Sequence, residues 1–408
     1  MQLHGDLASG KNAAMGRERK INSDNVAVGR DWLSRSHLIA RLLRIAAALV
    51  IALATLEVAS RVDDAIRYNA PLMGEYSSEI LFTYDDESIR HNVPLAQYEK
   101  WRNNSLGFRG PEISTAKPSG KMRIICMGTS ETYGLYESEN GEWPAQLRAS
   151  LREYSRAEIV NGATVGIRFE DYVHYLQKYV FKYQPDLVIV FINPIAYSRN
   201  RIRSLSDADP GAGGIKSRSR SSPRSGIEVL GTSRLIPKLT QLVKQNTPQV
   251  FLRSCKIWSL RREVERAEES HLRGRHPIEE VPDDVVVAFQ EDVANFADEV
   301  AKNGIRCIFC TYPSLITEDN LQRYLEIFLE DRVALPEFSF NWMIDAGRQL
   351  NGVLRKLAAS GKISVLDCDM AVPKTTSYFA DNSHYTDDGA ARVAACVHSF
   401  LIEQFGLR

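Results

Sequence analysis

Five short apolar runs, each followed by a segment with helical spacing, constrain the fold of this chain more than any other feature. Continuous apolar runs of this length suit strands that are buried on both faces of a parallel sheet. The runs are 122–128, 158–161, 187–192, 305–310 and 363–366, and the helical segments are 143–154, 169–183, 284–303, 341–359 and 389–404. This alternation predicts an α/β domain with a mainly parallel sheet, whose ligand groups gather at the carboxyl ends of the strands.

Composition limits the classes of protein that remain. The chain has 408 residues, of which 44% are hydrophobic and 25% charged, with 51 basic and 51 acidic side chains. These values exclude a disordered, collagen-like or polytopic membrane protein, and the zero net charge gives no reason to expect a nucleic-acid partner. We place the main domain at 121–408, preceded by a lead-in at 61–120 that wraps it. The oligomeric state is not readable from these features.

An insertion at roughly 198–283 separates the third apolar run from the fourth. Its first part, 198–225, is rich in Ser, Gly and Arg, which predicts a flexible loop. A basic lip that attracts an anionic polymer is the alternative interpretation of this part. The second part, about 235–269, has helical character and carries apolar side chains, so we expect it to dock on the main domain as a cap.

Six cysteines in 408 residues are too few for a disulfide-stapled scaffold. Cys126, Cys307 and Cys310 lie in apolar runs and Cys368 follows another, which favours small core residues. Cys307 and Cys310 form C-x-x-C, but no second Cys pair or His pair completes a zinc site, so no metal site is predicted. If the domain lies outside the cytoplasm, some thiols could be paired, and the sequence does not say which.

The amino-terminal region predicts a membrane anchor. Residues 1–37 are polar and are interpreted as a mobile cytoplasmic tail. The segment 38–60 reaches spanning length if Arg41 and Arg44 extend toward the headgroups. Basic residues precede this segment, so the positive-inside rule exports everything after Arg61. We therefore predict one signal-anchor transmembrane helix in the inner (cytoplasmic) membrane and a periplasmic main domain.

Other interpretations of the same apolar segment remain. A cleaved signal peptide would need an unusually long polar leader, although a start at Met15 would shorten it. A buried helix of a soluble protein is also compatible with an Ala-rich, moderately hydrophobic run. A helix lying on the membrane surface fits less well, because no polar face is visible.

Ser130 is the candidate nucleophile. It lies in Gly128-Thr-Ser-Glu-Thr-Tyr-Gly134, at the turn from the first apolar run into a helix. A hydroxyl at such a turn can reach solvent and substrate, and backbone N–H groups at the start of the helix can receive a developing oxyanion. The alternative is a serine that only caps the helix.

Asp381-Asn-Ser-His384 supplies the groups that such a serine needs. A histidine is suited to accept the hydroxyl proton near neutral pH. A carboxylate three residues earlier can hold the imidazole in the required tautomer and stabilise the imidazolium. The other seven histidines have no comparable setting, so His384 and Asp381 are the predicted partners of Ser130.

These motifs resemble the SGNH (GDSL-type) hydrolases, in particular the bacterial members with an N-terminal membrane anchor. The resemblance covers about residues 100–200 and 285–405, with the motif blocks in order and at sensible spacing. The matching blocks are 104–112, 128–134 with 142–147 behind it, 161–166, 185–194 and 381–384.

The resemblance implies both a fold and a set of site residues. The family fold is a three-layer α/β/α sandwich, flavodoxin-like, with a five-stranded parallel sheet, in agreement with the alternation described above. By the resemblance, Ser130 is the nucleophile, His384 the general base and Asp381 its orienting partner. The backbone N–H groups of Ser130 and Gly166 would form the oxyanion hole.

Two positions depart from the family pattern. Thr129 replaces the aspartate that usually precedes the nucleophile, and Ile195 stands where the third block usually has an asparagine that donates to the oxyanion. Asn193 lies two residues earlier and therefore on the same face of a strand, so it is the weak candidate for that donor. Losing one oxyanion donor typically costs about 2.7–4 kcal/mol in the transition state.

The sequence therefore predicts a membrane-anchored, extracytoplasmic serine esterase of SGNH type, without metal or organic cofactor. By analogy with anchored family members, its substrates would be O-acyl esters, in the first place O-acetyl esters, of a polysaccharide or a small molecule. A polysaccharide O-acetyltransferase with the same triad is one alternative. A non-catalytic carbohydrate-binding or assembly protein on a degenerate scaffold is another, favoured by Thr129 and Ile195.

Overall fold

The computed structural model describes residues 39–74, 76–151, 156–208, 233–236, 238–239 and 249–407. The predicted mobile tail at 1–37 lies outside these residues, as does 209–225 of the predicted flexible loop. Before the main sheet the chain forms one long helix and two small antiparallel hairpins. These elements are α1 (Ile39–Tyr68), β1 (Phe82–Tyr84), β2 (Arg90–Asn92), β3 (Gln97–Tyr98) and β4 (Trp101–Arg102).

The rest of the chain alternates strands and helices. In chain order the elements are β5 (Met122–Met127), α2 (Ser130–Tyr133), α3 (Trp143–Ser150), β6 (Ala157–Asn161), α4 (Tyr172–Tyr175), β7 (Leu187–Phe191), α5 (Pro194–Ala208), α6 (Gln249–Leu272), α7 (Asp283–Lys302), β8 (Arg306–Cys310), α8 (Leu325–Ala334), α9 (Phe340–Ala359), β9 (Ser364–Leu366), α10 (Cys368–Ala371) and α11 (Asp387–Phe405). Short 3-10 and π segments extend α4 on both sides, over 169–183.

The five apolar runs form one parallel sheet in the order β6-β5-β7-β8-β9. In order of appearance this is 2-1-3-4-5, the flavodoxin-like arrangement. Every residue of the central strand β7 is buried, because its side chains meet helices on both faces of the sheet. The predicted five-stranded parallel sheet is thus confirmed.

Helices pack in two groups around this sheet. α3 packs against α11, while α5, α7 and α9 contact one another. Each of these helices buries an apolar stripe, and the buried residues merge into a single large core cluster with the strands. The predicted three-layer α/β/α sandwich is confirmed, and its connections bring the carboxyl ends of all five strands to one edge.

α1 is long and apolar enough to cross a membrane. It has 30 residues with a mean hydropathy of 2.1, and none of its most apolar window is buried against the rest of the chain. The structure therefore does not place this segment in the core of the domain. The helix continues to Tyr68, eight residues beyond the predicted end at 60, and Asp63 in this extension accepts a hydrogen bond from Lys238 of the insertion at 2.9 Å.

The insertion differs from the prediction at its start. Residues 198–208, predicted as part of a flexible loop, continue α5, which begins at Pro194 and is capped by Asn193. A proline in the first turn and an asparagine cap favour a helix there, and this local signal outweighs the Ser- and Arg-rich composition. Farther along, α6 packs against α8, so its helical character and its docking match the prediction.

Gly389 fixes how α11 begins. A Cβ at this position would lie 1.9 Å from the carbonyl oxygen of Tyr378, which is backbone and has little room to move. We expect Gly389→Ala to destabilise the domain by about 3 kcal/mol, measured by thermal or denaturant unfolding.

Gly352→Ala is the matched control for that substitution. Gly352 also lies inside a helix, α9, but no atom outside the neighbouring turns of that helix lies within 4 Å of its added Cβ. Alanine has the higher helix propensity, so this variant should be neutral or stabilised by up to about 1 kcal/mol. Equal unfolding curves for the two variants would contradict the close approach at Gly389.

Candidate active site

Ser130, His384 and Asp381 lie in one hydrogen-bonded line. His384 Nε2 is 2.7 Å from Ser130 Oγ, and His384 Nδ1 is 2.7 Å from Asp381 Oδ2. A carboxylate only accepts hydrogen bonds, so Nδ1 carries the proton and donates to Asp381. Nε2 is then free to accept the hydroxyl hydrogen of Ser130. The predicted nucleophile, base and orienting residue are thus brought together, with the first two separated by 254 positions.

The fold places these side chains at the carboxyl edge of the sheet. Ser130 is the first residue of α2, three residues after Met127, where β5 ends. Asp381 and His384 lie in the loop between α10 and α11. Within that loop, Asp381 Oδ1 accepts hydrogen bonds of 2.8 Å from the backbone N–H groups of Ser383 and His384. This turn holds the aspartate and the histidine in a fixed mutual orientation.

The same loop is fastened to the segment that follows β8. The backbone N–H groups of Leu315 and Ile316 donate to the carbonyl and side-chain oxygens of Asn382, at 2.8 and 3.1 Å. The hydroxyl of Tyr312 donates to the carbonyl oxygen of Ser383 at 3.2 Å. The position of His384 therefore depends on the loop after the fourth sheet strand, a contact that no sequence motif indicated.

Charge around His384 favours its protonated form. Burial alone would lower the pKa of His384, but the hydrogen bond and charge of Asp381, with the charges of Glu131 and Glu137, raise it above its usual value near 6.5. Burial likewise opposes ionisation of Asp381, yet hydrogen bonds from His384 and two backbone N–H groups lower its pKa. Asp381 is therefore ionised at neutral pH and can stabilise the imidazolium.

A carboxylate does lie beside the nucleophile, but at position 131. Glu131 is 1% exposed, and its oxygens accept hydrogen bonds from the backbone N–H of Thr129 at 3.1 Å and from the Thr129 hydroxyl at 2.5 Å. The two residues thus brace each other across Ser130. In this chain Thr129 and Glu131 together hold the turn that presents the serine.

Gly166 and Asn193, the two predicted oxyanion donors besides Ser130, have different surroundings in the structure. Gly166 lies in the loop after β6 with a φ of +73°, a conformation that favours glycine. The described hydrogen bonds of Asn193 lead elsewhere: its amide nitrogen donates to the Tyr312 hydroxyl at 3.0 Å and its side-chain oxygen caps α5 at Ala196. Ile195 lies inside α5 and lines a neighbouring cavity. The roles of Gly166 and Asn193 in an oxyanion hole therefore remain predictions.

Tyr136 is a site residue that the sequence reasoning missed. Its ring stacks on the imidazole of His384, with centroids 4.4 Å apart and planes 21° from parallel. Half of the Tyr136 side chain remains exposed, so the ring separates the imidazole from solvent and forms part of the outer wall of the site. The residue lies two positions after the Gly128–Gly134 motif, and its type carries no signal without the fold.

Two further carboxyl groups near His384 have strongly raised pKa values. Burial raises the pKa of Glu137 to about 7, and burial together with the charge of Asp381 raises the pKa of Asp331 to about 7. Both groups therefore change charge in the same pH range as an ordinary histidine. Their ionisation above neutral pH adds negative charge near His384 and favours the imidazolium further.

The raised pKa of His384 predicts the acid limb of the activity profile. Only the neutral imidazole can accept the Ser130 proton, so kcat/KM for an activated ester should fall as pH decreases, with a midpoint above 6.5. Replacing Tyr136 with leucine removes an aromatic face that stabilises the imidazolium by about 0.5–1 kcal/mol. We expect the midpoint in Tyr136→Leu to move down by about 0.4–0.7 pH unit.

Tyr136→Phe is the control for this shift, because it keeps the stacked ring and removes only the hydroxyl. Its midpoint should stay nearer to that of the unmodified chain than the midpoint of Tyr136→Leu does. An unchanged midpoint in Tyr136→Leu would show that the stacked ring does not influence protonation of His384.

A cavity of about 390 Å³ opens beside the loop that carries His384. It touches the supporting residues Tyr312 and Ser314 rather than the triad itself. Its charged side chains balance, three basic against three acidic: Arg348, Arg355, Lys374, Glu318, Asp319 and Asp369. Pro194, Ile195 and Met343 add apolar surface. A neutral lining of mixed polarity suits an uncharged polar ligand better than an anionic polymer.

Comparisons with known proteins give likenesses in structure alone. No family model and no curated protein matches the chain. Similar solved structures include a lipolytic protein of the G-D-S-L family from Desulfitobacterium hafniense, 11% identical, covering 68% of this chain and 99% of that one, with a TM-score of 0.38. A lipase/acylhydrolase from Enterococcus faecalis is 16% identical, covering 69% and 96%, also at 0.38. An acetylxylan esterase from Geobacillus stearothermophilus is 12% identical, covering 70% and 94%, at 0.37. At these TM-scores no functional conclusion follows.

Proposed function

We propose that this chain is a serine esterase that cleaves O-acyl esters through an acyl-enzyme intermediate. The observation that carries the proposal is the hydrogen-bonded line from Ser130 Oγ through the imidazole of His384 to the carboxylate of Asp381. Three residue types in this order perform nucleophilic catalysis on unrelated folds, so the geometry itself supports the chemistry.

In the first step, Ser130 Oγ attacks the ester carbonyl while His384 Nε2 accepts the hydroxyl proton. Asp381 holds Nδ1–H and stabilises the imidazolium, and backbone N–H groups at Ser130 and Gly166 receive the oxyanion. The tetrahedral intermediate then expels the alcohol, which takes the proton from Nε2, and an acyl ester remains on Ser130. Water repeats the sequence: it loses a proton to His384, attacks the acyl carbon and releases the carboxylic acid.

The substrate proposed for this site is an O-acyl ester, in the first place an O-acetyl ester, carried by a polysaccharide or a smaller sugar. The support is the neutral cavity of mixed polarity beside the His384 loop, which suits a sugar, together with the half-exposed ring of Tyr136 at the outer wall. Aromatic rings and balanced polar groups are typical of sites that bind uncharged carbohydrates.

We further propose that α1 anchors the enzyme in the cytoplasmic membrane, with the main domain on the outer side. The length and hydropathy of α1 support a single span. Eight Lys and Arg residues precede Ile45, whereas Arg61 and Arg67 alone lie between Ile45 and Tyr68, and this asymmetry in basic residues is that of an exported domain.

Active-site labelling with a fluorophosphonate tests the proposal. The full chain, solubilised in detergent, should form one covalent adduct and should hydrolyse p-nitrophenyl acetate. Trypsin would release the adduct in peptide 124–148, which also contains Ser138. The Ser138→Ala variant should therefore keep both labelling and hydrolysis. A folded protein that neither labels nor hydrolyses would favour a non-catalytic binding role.

A further inference from the structure

Two cysteine thiols meet between α10 and α11, the helices that precede and follow the loop carrying Asp381 and His384. The sulfur atoms of Cys368 and Cys396 are 3.6 Å apart, although the residues lie 28 positions apart in the chain. Cys368 begins α10 and is fully buried, while Cys396 lies in α11 and is half-buried. Both are free thiols in the structure. A disulfide needs a sulfur distance of about 2.05 Å, so the two sulfur atoms must move closer for the bond to form.

The surrounding contacts hold these two cysteines in place. Asp369, the neighbour of Cys368, forms ion pairs with Arg355 at 2.9 Å and with Lys374 at 2.7 Å. α10 also packs directly on α11. The thiols therefore lie together because α10 and α11 pack against each other, and this packing keeps the two sulfur atoms within reach of each other.

We propose that Cys368 and Cys396 form a disulfide in the mature protein. The bond would close the segment that contains both Asp381 and His384. The compartment in which this disulfide forms rests on the proposed function, because an exported domain meets an oxidising compartment and a cytoplasmic domain does not.

The chemistry requires an external disulfide, carried by a protein oxidant or by oxidised glutathione. The thiolate of Cys396 attacks one sulfur of that disulfide, which breaks the external S–S bond and releases one thiolate. The thiolate of Cys368 then attacks the Cys396 sulfur and releases the second thiolate. Two cysteine thiols lose two protons and two electrons, and the external disulfide becomes two thiols.

We expect the disulfide to form while the chain folds rather than after the domain has folded. The hydrogen bond between the two thiols and their burial raise the pKa of Cys396, and burial raises the pKa of Cys368. Few thiolates are therefore present once α11 has docked. During folding the thiols are accessible and ionise normally, so exchange with the oxidant is faster.

Cys310 is the third thiol to consider, because it lies at the end of β8 and contacts Cys368. It is fully buried in the sheet, whereas Cys396 reaches the surface of the domain. Pairing of Cys310 with Cys368 would leave Cys396 as a free, half-buried thiol. The accessible partner is Cys396, which favours the pair proposed here.

Tryptic mapping separates these possibilities. Cys368, Cys396 and Cys310 fall in three different tryptic peptides, 363–374, 393–408 and 307–323. Cells that produce the full chain would be lysed in N-ethylmaleimide to trap free thiols, and the membrane fraction would be digested without reductant. We expect a linked pair of 363–374 and 393–408. A link through 307–323, or alkylation of both Cys368 and Cys396, would overturn the proposal.

Stability supplies a second readout. Closing a loop of this size should raise the Tm of the oxidised protein above that of the reduced protein by about 5–10 °C. Cys310→Ala should keep the linked peptide and the Tm difference, whereas Cys368→Ala and Cys396→Ala should lose both. Fluorophosphonate labelling of the same samples reports the proposed esterase separately, so a failure of one proposal is distinguishable from a failure of the other.

Discussion

Alanine at position 130 is expected to lower kcat/KM for p-nitrophenyl acetate by at least about 10⁴-fold and to abolish fluorophosphonate labelling. The substitution removes the only atom that can form the acyl ester in the proposed mechanism, while backbone donors that bind the oxyanion remain. Residual rate above the uncatalysed reaction is therefore expected to be small and independent of His384.

Ser138→Ala is the matched control for this loss. Ser138 follows the same motif, and its hydroxyl donates to Asp387 at 2.5 Å rather than to His384. Its variant should retain the activity and the labelling of the unmodified chain. Activity that survives in Ser130→Ala, in a protein whose circular dichroism is unchanged, would refute Ser130 as the nucleophile.

Asparagine at position 381 is expected to lower kcat by about 10⁴-fold with little change in fold. The Oδ1 atom that accepts the N–H groups of Ser383 and His384 would be retained, so the turn should persist. An NH₂ group would replace Oδ2 opposite Nδ1. It cannot accept from Nδ1–H, so the imidazole would be driven to the tautomer with hydrogen on Nε2, which cannot take the Ser130 proton.

Steady-state kinetics beside an unfolding curve would test this expectation. The loss should appear in kcat, with an unfolding midpoint close to that of the unmodified chain. Asp387→Asn is the control, because Asp387 accepts from Ser138 at the start of α11 and does not touch the imidazole. A loss of similar size in Asp387→Asn would indicate that the loop, rather than the tautomer, limits the rate.

Local patterns explain why the strands could be predicted. The strand β7 is a run of five apolar residues followed by a turn, and its neighbours β5 and β8 are similar runs. Buried parallel strands need such runs regardless of what they pack against, so the alternation alone predicts the sheet. The predicted loop at 198–208 is wrong because the start signal of Asn193 and Pro194 outweighs the Ser- and Arg-rich composition, and α5 continues through these residues.

The candidate site was predictable only where residue type itself carries the chemistry. A serine at a strand-to-helix turn, and a histidine three residues after an aspartate, are recognisable without a fold. Tyr136 and Tyr312 are not, because an aromatic residue in a loop has many uses. Their contacts with His384 and Ser383 exist only because the segments after β5 and β8 both reach the loop between α10 and α11.

The sequence by itself determined the alternation of strands and helices, the identity of the candidate nucleophile and its partners, and the apolar amino-terminal helix. These features depend on neighbours within a few residues along the chain. Tertiary structure alone decided that Asn193 reaches Tyr312, that Tyr136 stacks on His384, and that Cys368 meets Cys396. Contacts between distant residues are set by how helices and loops pack over the sheet, and side-chain type along the chain does not encode that packing locally.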